Sequence, residues 1–406
     1  MRTRTRRVLA GVVVALATAG VTTWLVERGR AVDYMGELVP PGEDAFIAEL
    51  ISSSTESINA STVNARPPYR RDVHAKTHGC VRADVQTLAA LAPELRQGVF
   101  AKPNQTYRAW IRYSSGDTNV QSDGARDARG MALKLTGVTG PGLLELEPDA
   151  GTQDFVMINS PRFFIRNVEE YAKFARTLAD GSRLGYFFGL RNPLTWRLRD
   201  MMLAIRTLKA APASLLHERY YSLTAYKFGP TLDVKFSARA CTKQPVARVN
   251  RDLPDFLRDE MRAELRNDGA CFDLMVQPQI AGKDMPIEDP SVEWDETDSP
   301  FVPVARVTIP KQEFDTDQQK AFCEDLSFSP WHALPDHRPL GGLNRVRRAV
   351  YLEDARYRRA KNGAVDAHGE YMPRHEPRGW CLDLTGQPCA ADAPAARPGA
   401  SAAAAR

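Results

Sequence analysis

YRAWIRYSS, from Tyr107 to Ser115, is the stretch on which the fold turns. Apolar and polar side chains partly alternate along it, the period of a strand whose two faces meet different surroundings. Gly130 to Thr136 (GMALKLT) repeats the pattern, and Phe155 to Ile158 is a third short apolar run. Ser222 to Cys241 contains SLTAYKFG and LDVKFSARAC, which read as an antiparallel pair joined across Gly229-Pro230. CFDLMVQ from Cys271 and PVARVTI from Pro303 supply two more strands. Regular strand–helix alternation is missing, which predicts an α+β chain with a mostly antiparallel sheet or barrel. Helical spacing is expected from Asp44 to about Asn64, where Phe46, Leu50, Ile51 and Ile58 share a face. Further helices are expected over Val168–Leu178, Leu194–Lys209, Leu253–Arg266, Asp317–Leu326 and Gly342 to about Lys361.

The chain has 406 residues, 43% of them hydrophobic and 26% charged, enough to bury a substantial core. Its net charge of +4 comes from the leader, where the first thirty residues hold six arginines and one acid, Glu27. The remaining body is near neutral, which removes the electrostatic case for nucleic acid. Arg2, Arg4, Arg6 and Arg7 precede an apolar run from Val8 to Val26. That run has about the length of a bilayer-spanning helix, and the arginines would stay cytoplasmic. Ala17-Thr18-Ala19 also offers a cleavage site for a signal peptide. The expectation is one transmembrane or signal helix in residues 1–30, with the membrane as a partner. The following domain would be exported, held at the inner membrane or left periplasmic or secreted after cleavage. Residues 31–389 would form that domain, and 390–406, rich in Ala and Pro, a disordered tail.

Cysteines stand at 80, 241, 271, 323, 381 and 389, without the CxxC spacing of a thiolate zinc site. Cys381 and Cys389 are closest in sequence, but connectivity stays open, and each cysteine reads equally well as a small buried hydrophobe.

Four strings carry the chemistry. Arg71-Asp72-Val73-His74-Ala75-Lys76 taken alone would pass for surface or core. Arg112-Tyr113-Ser114 precedes Arg126-Asp127-Ala128-Arg129-Gly130-Met131-Ala132-Leu133-Lys134, which alone is a charged turn entering a strand. Asn159-Ser160-Pro161-Arg162-Phe163-Phe164-Ile165-Arg166-Asn167 follows. Last comes Arg347-Arg348-Ala349-Val350-Tyr351 in a helical, arginine-rich segment.

In this order the strings resemble the haem catalase superfamily, over about residues 40 to 365. Catalases carry R-x-V-H-A-K at the distal histidine and R-F-S before R-D-P-R-G-F-A-x-K. They continue with N-N-x-P-x-F-F-x-R-D and end with R-x-x-x-Y at the iron ligand. Phe328-Ser329-Pro330 is similar to the family's approach to that last helix. The resemblance implies an antiparallel catalase-like barrel with surrounding helices and haem, b type expected, as cofactor. It makes Tyr351 the iron ligand, a phenolate that favours ferric iron. Arg347, one helical turn earlier, would support that charge. Tyr357 is the rival ligand, but Glu353 stands where its arginine would be needed. His74 would be the acid–base group acting on the peroxide, oriented by Ser114. Arg71 and Arg112 would face the haem carboxylates, with Arg358 a weaker match. Val73 would pack on the haem face, with Phe163 and Tyr171 as aromatic neighbours.

Departures from the family pattern narrow the function. The first asparagine of the N-N pair, a peroxide-orienting amide, is Ile158 here, unless the register lets Asn159 substitute. Thr77 follows Lys76 in place of glycine, and His78 adds an imidazole that would line a channel or face solvent. The chain stops near residue 406, and no nucleotide-binding segment is evident, so no NADPH is expected. Smaller catalase-related proteins acting on organic hydroperoxides share such traits, whereas Val73 departs from the threonine of allene-oxide-synthase-like relatives. The first reading is a haem enzyme consuming hydrogen peroxide by dismutation or peroxidation. The second is an organic or lipid hydroperoxide peroxidase or isomerase, and the third a haem-binding module without turnover. A homo-oligomer is compatible with each.

Overall fold

The computed structural model describes residues 36–144, 151–180, 182, 184–189, 195–241 and 249–365. Nine strands among them form one antiparallel sheet: β1 (Thr77–Thr87), β2 (Thr106–Ser115), β3 (Arg129–Thr136), β4 (Thr152–Ile158), β5 (Arg219–Tyr221), β6 (Tyr226–Phe228), β7 (Leu232–Ala240), β8 (Ala270–Pro278) and β9 (Val302–Ile309). Their order is β5-β4-β3-β2-β1-β9-β8-β7-β6, and β5 pairs with β7 as well. That extra pairing closes the sheet into a barrel, the antiparallel architecture expected from the strand pattern. Inward side chains alternate along each strand: Val81, Ala83 and Val85 of β1, Ile111 and Tyr113 of β2, Met131 and Leu133 of β3, Phe155 and Met157 of β4.

The outward rows of the same strands prepare the site. Ser114 lies opposite Gly130, and Gly130 opposite Ile158; one step along, Arg112, Ala132 and Val156 form a second row. Three helices pack together: α1 (Glu43–Ser61), α2 (Val168–Ala179) and, late in the chain, α6 (Gly342–Lys361). They share an apolar cluster of Leu50 from α1 with Val168 and Ala172 of α2 and Val346 and Val350 of α6, each of the latter pairs one turn apart. Arg345 fixes the start of α6 through Glu43 (2.6 Å), Glu288 (3.0 Å) and Glu37 (3.2 Å). The other helices are α3 (Leu198–Thr207), α4 (Phe256–Asn267) and α5 (Asp317–Asp325). A disulfide between Cys80 and Cys323, Cα atoms 6.0 Å apart, ties α5 to β1, and a second joins Cys241 to Cys271. Cys381 and Cys389, and the tail expected at 390–406, lie outside the described residues.

No described helix supplies the expected membrane anchor. Among the described residues no helix is long and apolar enough to cross a membrane, and residues 1–30 lie outside the described residues. The inner-membrane attachment, the membrane partner and the exported location rested on that segment and are not carried further.

Helix α4 sets Phe256, Leu257, Met261 and Leu265 into the barrel core and carries Glu260 in with them. Burial, then the Glu264 carboxyl beside it, pushes the Glu260 acid up to about 10. Its folded value lies above the ordinary ~4.3 of glutamate, so the folded state keeps a proton that the unfolded chain releases. The resulting stability is present below about pH 4.3 and is lost as the pH rises toward 10. Glu260→Gln is therefore expected to raise the thermal midpoint by about 2–4 °C or more at pH 8 and to leave it nearly unchanged at pH 4. Equal shifts at both pH values in a melting experiment would contradict this.

Candidate active site

One cleft outside the barrel, of about 690 Å³, is lined by Val73, His74, Arg112, Ser114, Val156, Phe328, Tyr351 and Arg358, with Arg71 and Asp354 at its margins. Strands β2 to β4 supply one wall through their outward rows, and helix α6 supplies another.

His74 sits just before β1 with φ of 60°, a left-handed conformation that a non-glycine residue keeps only when its surroundings enforce it. Its backbone N–H donates to Gly116 O (3.2 Å), and Arg112 Nη2 donates to His74 O (2.7 Å). The ring Nδ1 is 3.0 Å from Ser114 Oγ. Gly130 makes room for this pair. A Cβ there would lie 2.7 Å from His74 Cε1 and Nδ1 and 2.8 Å from Ser114 Oγ. Burial, then the positive charges of Arg112, Arg347 and Arg71, lower the His74 pKa to about 3. The imidazole is neutral at working pH, able to accept a proton and return it.

Tyr351 is on the α6 face that meets the cleft, and Arg347 stands one turn behind it. Arg347 Nη1 reaches Thr224 Oγ1 and Asn344 Oδ1, both at 3.4 Å. Burial works against this guanidinium's charge, but the phenols of Tyr351, Tyr226 and Tyr171 outweigh it and hold its pKa above the usual value. Among the described residues no carboxylate pairs with Arg347, and its charge is directed at hydroxyl groups.

Three guanidiniums gather at the cleft. Arg112, whose Nε has no hydrogen-bond partner among the described residues, also donates to Thr77 Oγ1 (2.6 Å). Arg71 donates to Leu326 O (2.6 Å), and Arg358 to Tyr69 O (3.1 Å) and Glu324 O (2.8 Å). Glu324 joins Arg71 and Arg358, and sequence reasoning missed it, because a single acid in an α5 helix carries no signal. Asp72 and Asp354 were likewise given no role. Ser54 Oγ donates to Asp354 at 2.7 Å, while burial pushes the Asp354 acid up to about 7.

Not every expected residue reaches the cleft. Asn159 is buried with its amide consumed: Oδ1 accepts from Arg129 N (2.8 Å) and Nδ2 donates to Glu218 (2.8 Å). Ile158 holds the position in the row beside Gly130 and packs with Ala128, Leu223 and Phe163. Phe163 and Tyr171 touch each other edge to face, 6.4 Å apart, and neither lines the cleft. Tyr171 packs instead in the helix cluster with Tyr351. His78 is fully buried, 2.9 Å from Ser115 Oγ, and belongs to a second cleft with Cys80 and Arg258 rather than to this one. Tyr357 donates to Asn59 Oδ1 (2.6 Å), away from the cleft.

Comparison with known structures decides the architecture. A fungal catalase superimposes with a TM-score of 0.58 at 19% identity, over 84% of this chain and 68% of the other. Catalase A from Saccharomyces cerevisiae gives 0.56 at 17%, over 86% and 72%. The fold is that of the catalases. In sequence, the family model described as catalase matches residues 58–196, a span that holds His74, Arg112 and Ser114 but not Arg347 or Tyr351. A catalase-related peroxidase of Mycolicibacterium paratuberculosis is 29% identical over 216 residues, half of this chain and 63% of that protein. A catalase of Schizosaccharomyces pombe is 25% identical over 333 residues, 76% of this chain and 60% of that protein. The chain thus spans less than two thirds of the length of either relative. The catalase likeness implies haem, and the cleft fits it. A phenol and an imidazole share one cavity with apolar walls, and unsatisfied guanidinium capacity waits at its edge for carboxylates.

Proposed function

We propose that this chain is a haem-dependent enzyme that breaks down hydrogen peroxide, by dismutation or by peroxidation of a donor. The observation that carries the reading is His74, neutral and set by Ser114, in the same cleft as Tyr351 backed by Arg347. Tyr351 would hold haem, of b type, through its phenolic oxygen, with Arg71, Arg112 and Arg358 taking the haem carboxylates and Val73 on its face. Bound haem would supply a ferric centre able to accept two oxidising equivalents from a peroxide. His74 does the proton work. Its Nε2 would accept a proton from a hydroperoxide in the cleft and return it to the oxygen that leaves as water, while bound haem would supply the two electrons that the O–O cleavage needs. For that, Nδ1 carries the hydrogen and donates to Ser114 Oγ, which fixes the tautomer.

Ile158 favours a second reading. An apolar side chain stands where an orienting amide would steer hydrogen peroxide, and the Asn159 amide is occupied elsewhere. Without that amide, dismutation would weaken relative to peroxidation, and an organic hydroperoxide would be better suited.

The test is oxygen evolution from hydrogen peroxide by the haemin-loaded chain, with bound haem quantified alongside and a phenolic donor and an alkyl hydroperoxide run in parallel. Sustained oxygen release is expected. Donor oxidation with little oxygen would shift the assignment to the second reading, and bound haem with neither activity would leave a haem-binding module.

A further inference from the structure

We propose that Glu324 is a resident carboxylate of the cleft's arginine cluster, which a carboxylate of bound porphyrin displaces, so that this side chain sets how tightly haem is held. The inference rests on the haem reading above. One oxygen, Glu324 Oε1, receives both Arg358 Nη2 (2.6 Å) and Arg71 Nη1 (3.3 Å). Among the described residues no other carboxylate pairs with Arg71, Arg112 or Arg358. Arg71 and Arg358 share that one carboxylate, while Asp72 and Asp354, which also line the cleft, pair with neither. Burial, then Arg112 and Arg358, pulls Arg71 well below its ordinary value, and burial brings Arg112 down to about 10 despite Glu324. A ligand carboxylate offered to Arg71 and Arg358 would compete with Glu324 for them.

Two features make exchange the outcome rather than collapse. Each arginine keeps a backbone acceptor that does not involve the Glu324 carboxylate: Leu326 O for Arg71, His74 O for Arg112, Tyr69 O for Arg358. Glu324 also has somewhere to go. It lines a second cleft, of about 1,240 Å³, whose other walls include Arg70, Arg258 and Lys320. The disulfide between Cys80 and the adjacent Cys323 anchors the helix end on which it would swing.

A purely structural Glu324 predicts the opposite sign, because its loss would loosen the arginines and weaken haem. The experiment measures haemin release from the full chain to an excess of apomyoglobin, followed in the Soret band. Glu324→Gln is expected to slow release about tenfold, since one competing charge is gone. With haemin dimethyl ester, whose carboxylates are blocked, the variant and wild type should match. Unchanged or faster release, or the same change with the ester, overturns the proposal. Glu324→Ala is the second variant, with the same expectation; loss of fold in both would make Glu324 structural and also overturn it. A wild-type chain that gives no Soret band with haemin sinks the haem reading itself, and this inference with it.

Discussion

Replacing His74 by Ala is expected to lower peroxide turnover by about 10²–10⁴-fold while the chain still binds haem. Among the residues lining the cleft, His74 is the only histidine. Ser114 is a hydroxyl that cannot take over as a base, and His78 is sealed behind Ser115. The cleft walls do not depend on the ring, because Arg112 holds the His74 carbonyl and Gly116 the amide, both backbone groups. Haem content, measured by a pyridine haemochrome assay beside the rate, separates the two effects. The pH profile adds an independent sign. With the His74 pKa lowered to about 3, the base is deprotonated throughout pH 5 to 9, and its acid limb lies near 3. Wild-type activity that falls through pH 6.5, or a His74→Ala enzyme that keeps its rate, would move the proton work to another group.

Much of the barrel was legible because β2, β3, β4 and β7 to β9 alternate against one apolar interior. The longest strand, β1, escaped the reading. Its inward residues Val81, Ala83 and Val85 alternate with outward His78, Arg82 and Asp84, and His78 and Arg82 are buried too, under helices that the local pattern does not announce. A two-residue period marks a strand only when its polar face is wet, and β1 is dry on both sides over most of its length. The short β5 carries too few residues to show any period. Helix bounds came out close at Val168 and Gly342, where Asn167 caps one start by accepting from Glu170 N and Gly341 with φ of 84° turns into the other. The start of α3 fell four residues inside the expected one.

The cleft was legible as a set of ordered strings and not as a geometry. Strings locate His74, Ser114 and Tyr351, but side-chain direction follows from register. In a strand only one of two successive residues can face a given side, and Gly130 opposite Ile158 gives that side to Ile158. Asn159 was a substitute only while the register was unknown. Glu324 shows the complementary gap: it acts through the three-dimensional convergence of Arg71 and Arg358, 253 and 34 residues distant in the chain, and no local pattern encodes that.

Tyr351→Phe is expected to lower haemin affinity by more than the ~10–100-fold that loss of a group behind a metal ligand costs, and to abolish any ferric-tyrosinate absorption that remains. The substitution deletes one oxygen and keeps the ring, which packs beside Val350, Val346 and Tyr171 in the helix cluster. Stability of the haem-free chain should therefore stay within about 1 kcal/mol of wild type, so a lost Soret band cannot be blamed on unfolding. Arg347→Leu offers the graded comparison. It removes the charge behind the oxygen but leaves the oxygen, so affinity should fall in the same direction by a smaller factor. Thr224 and Asn344 would then lose a donor they meet at 3.4 Å, a weak contact whose absence costs little. Soret titrations of the three proteins read these effects on one scale. An unaltered haem spectrum in Tyr351→Phe would shift the ligand to another phenol, and Tyr171, buried in the same cluster and adjacent to Tyr351, is the one the packing offers; Tyr357 is engaged by Asn59 on the far side of the helix.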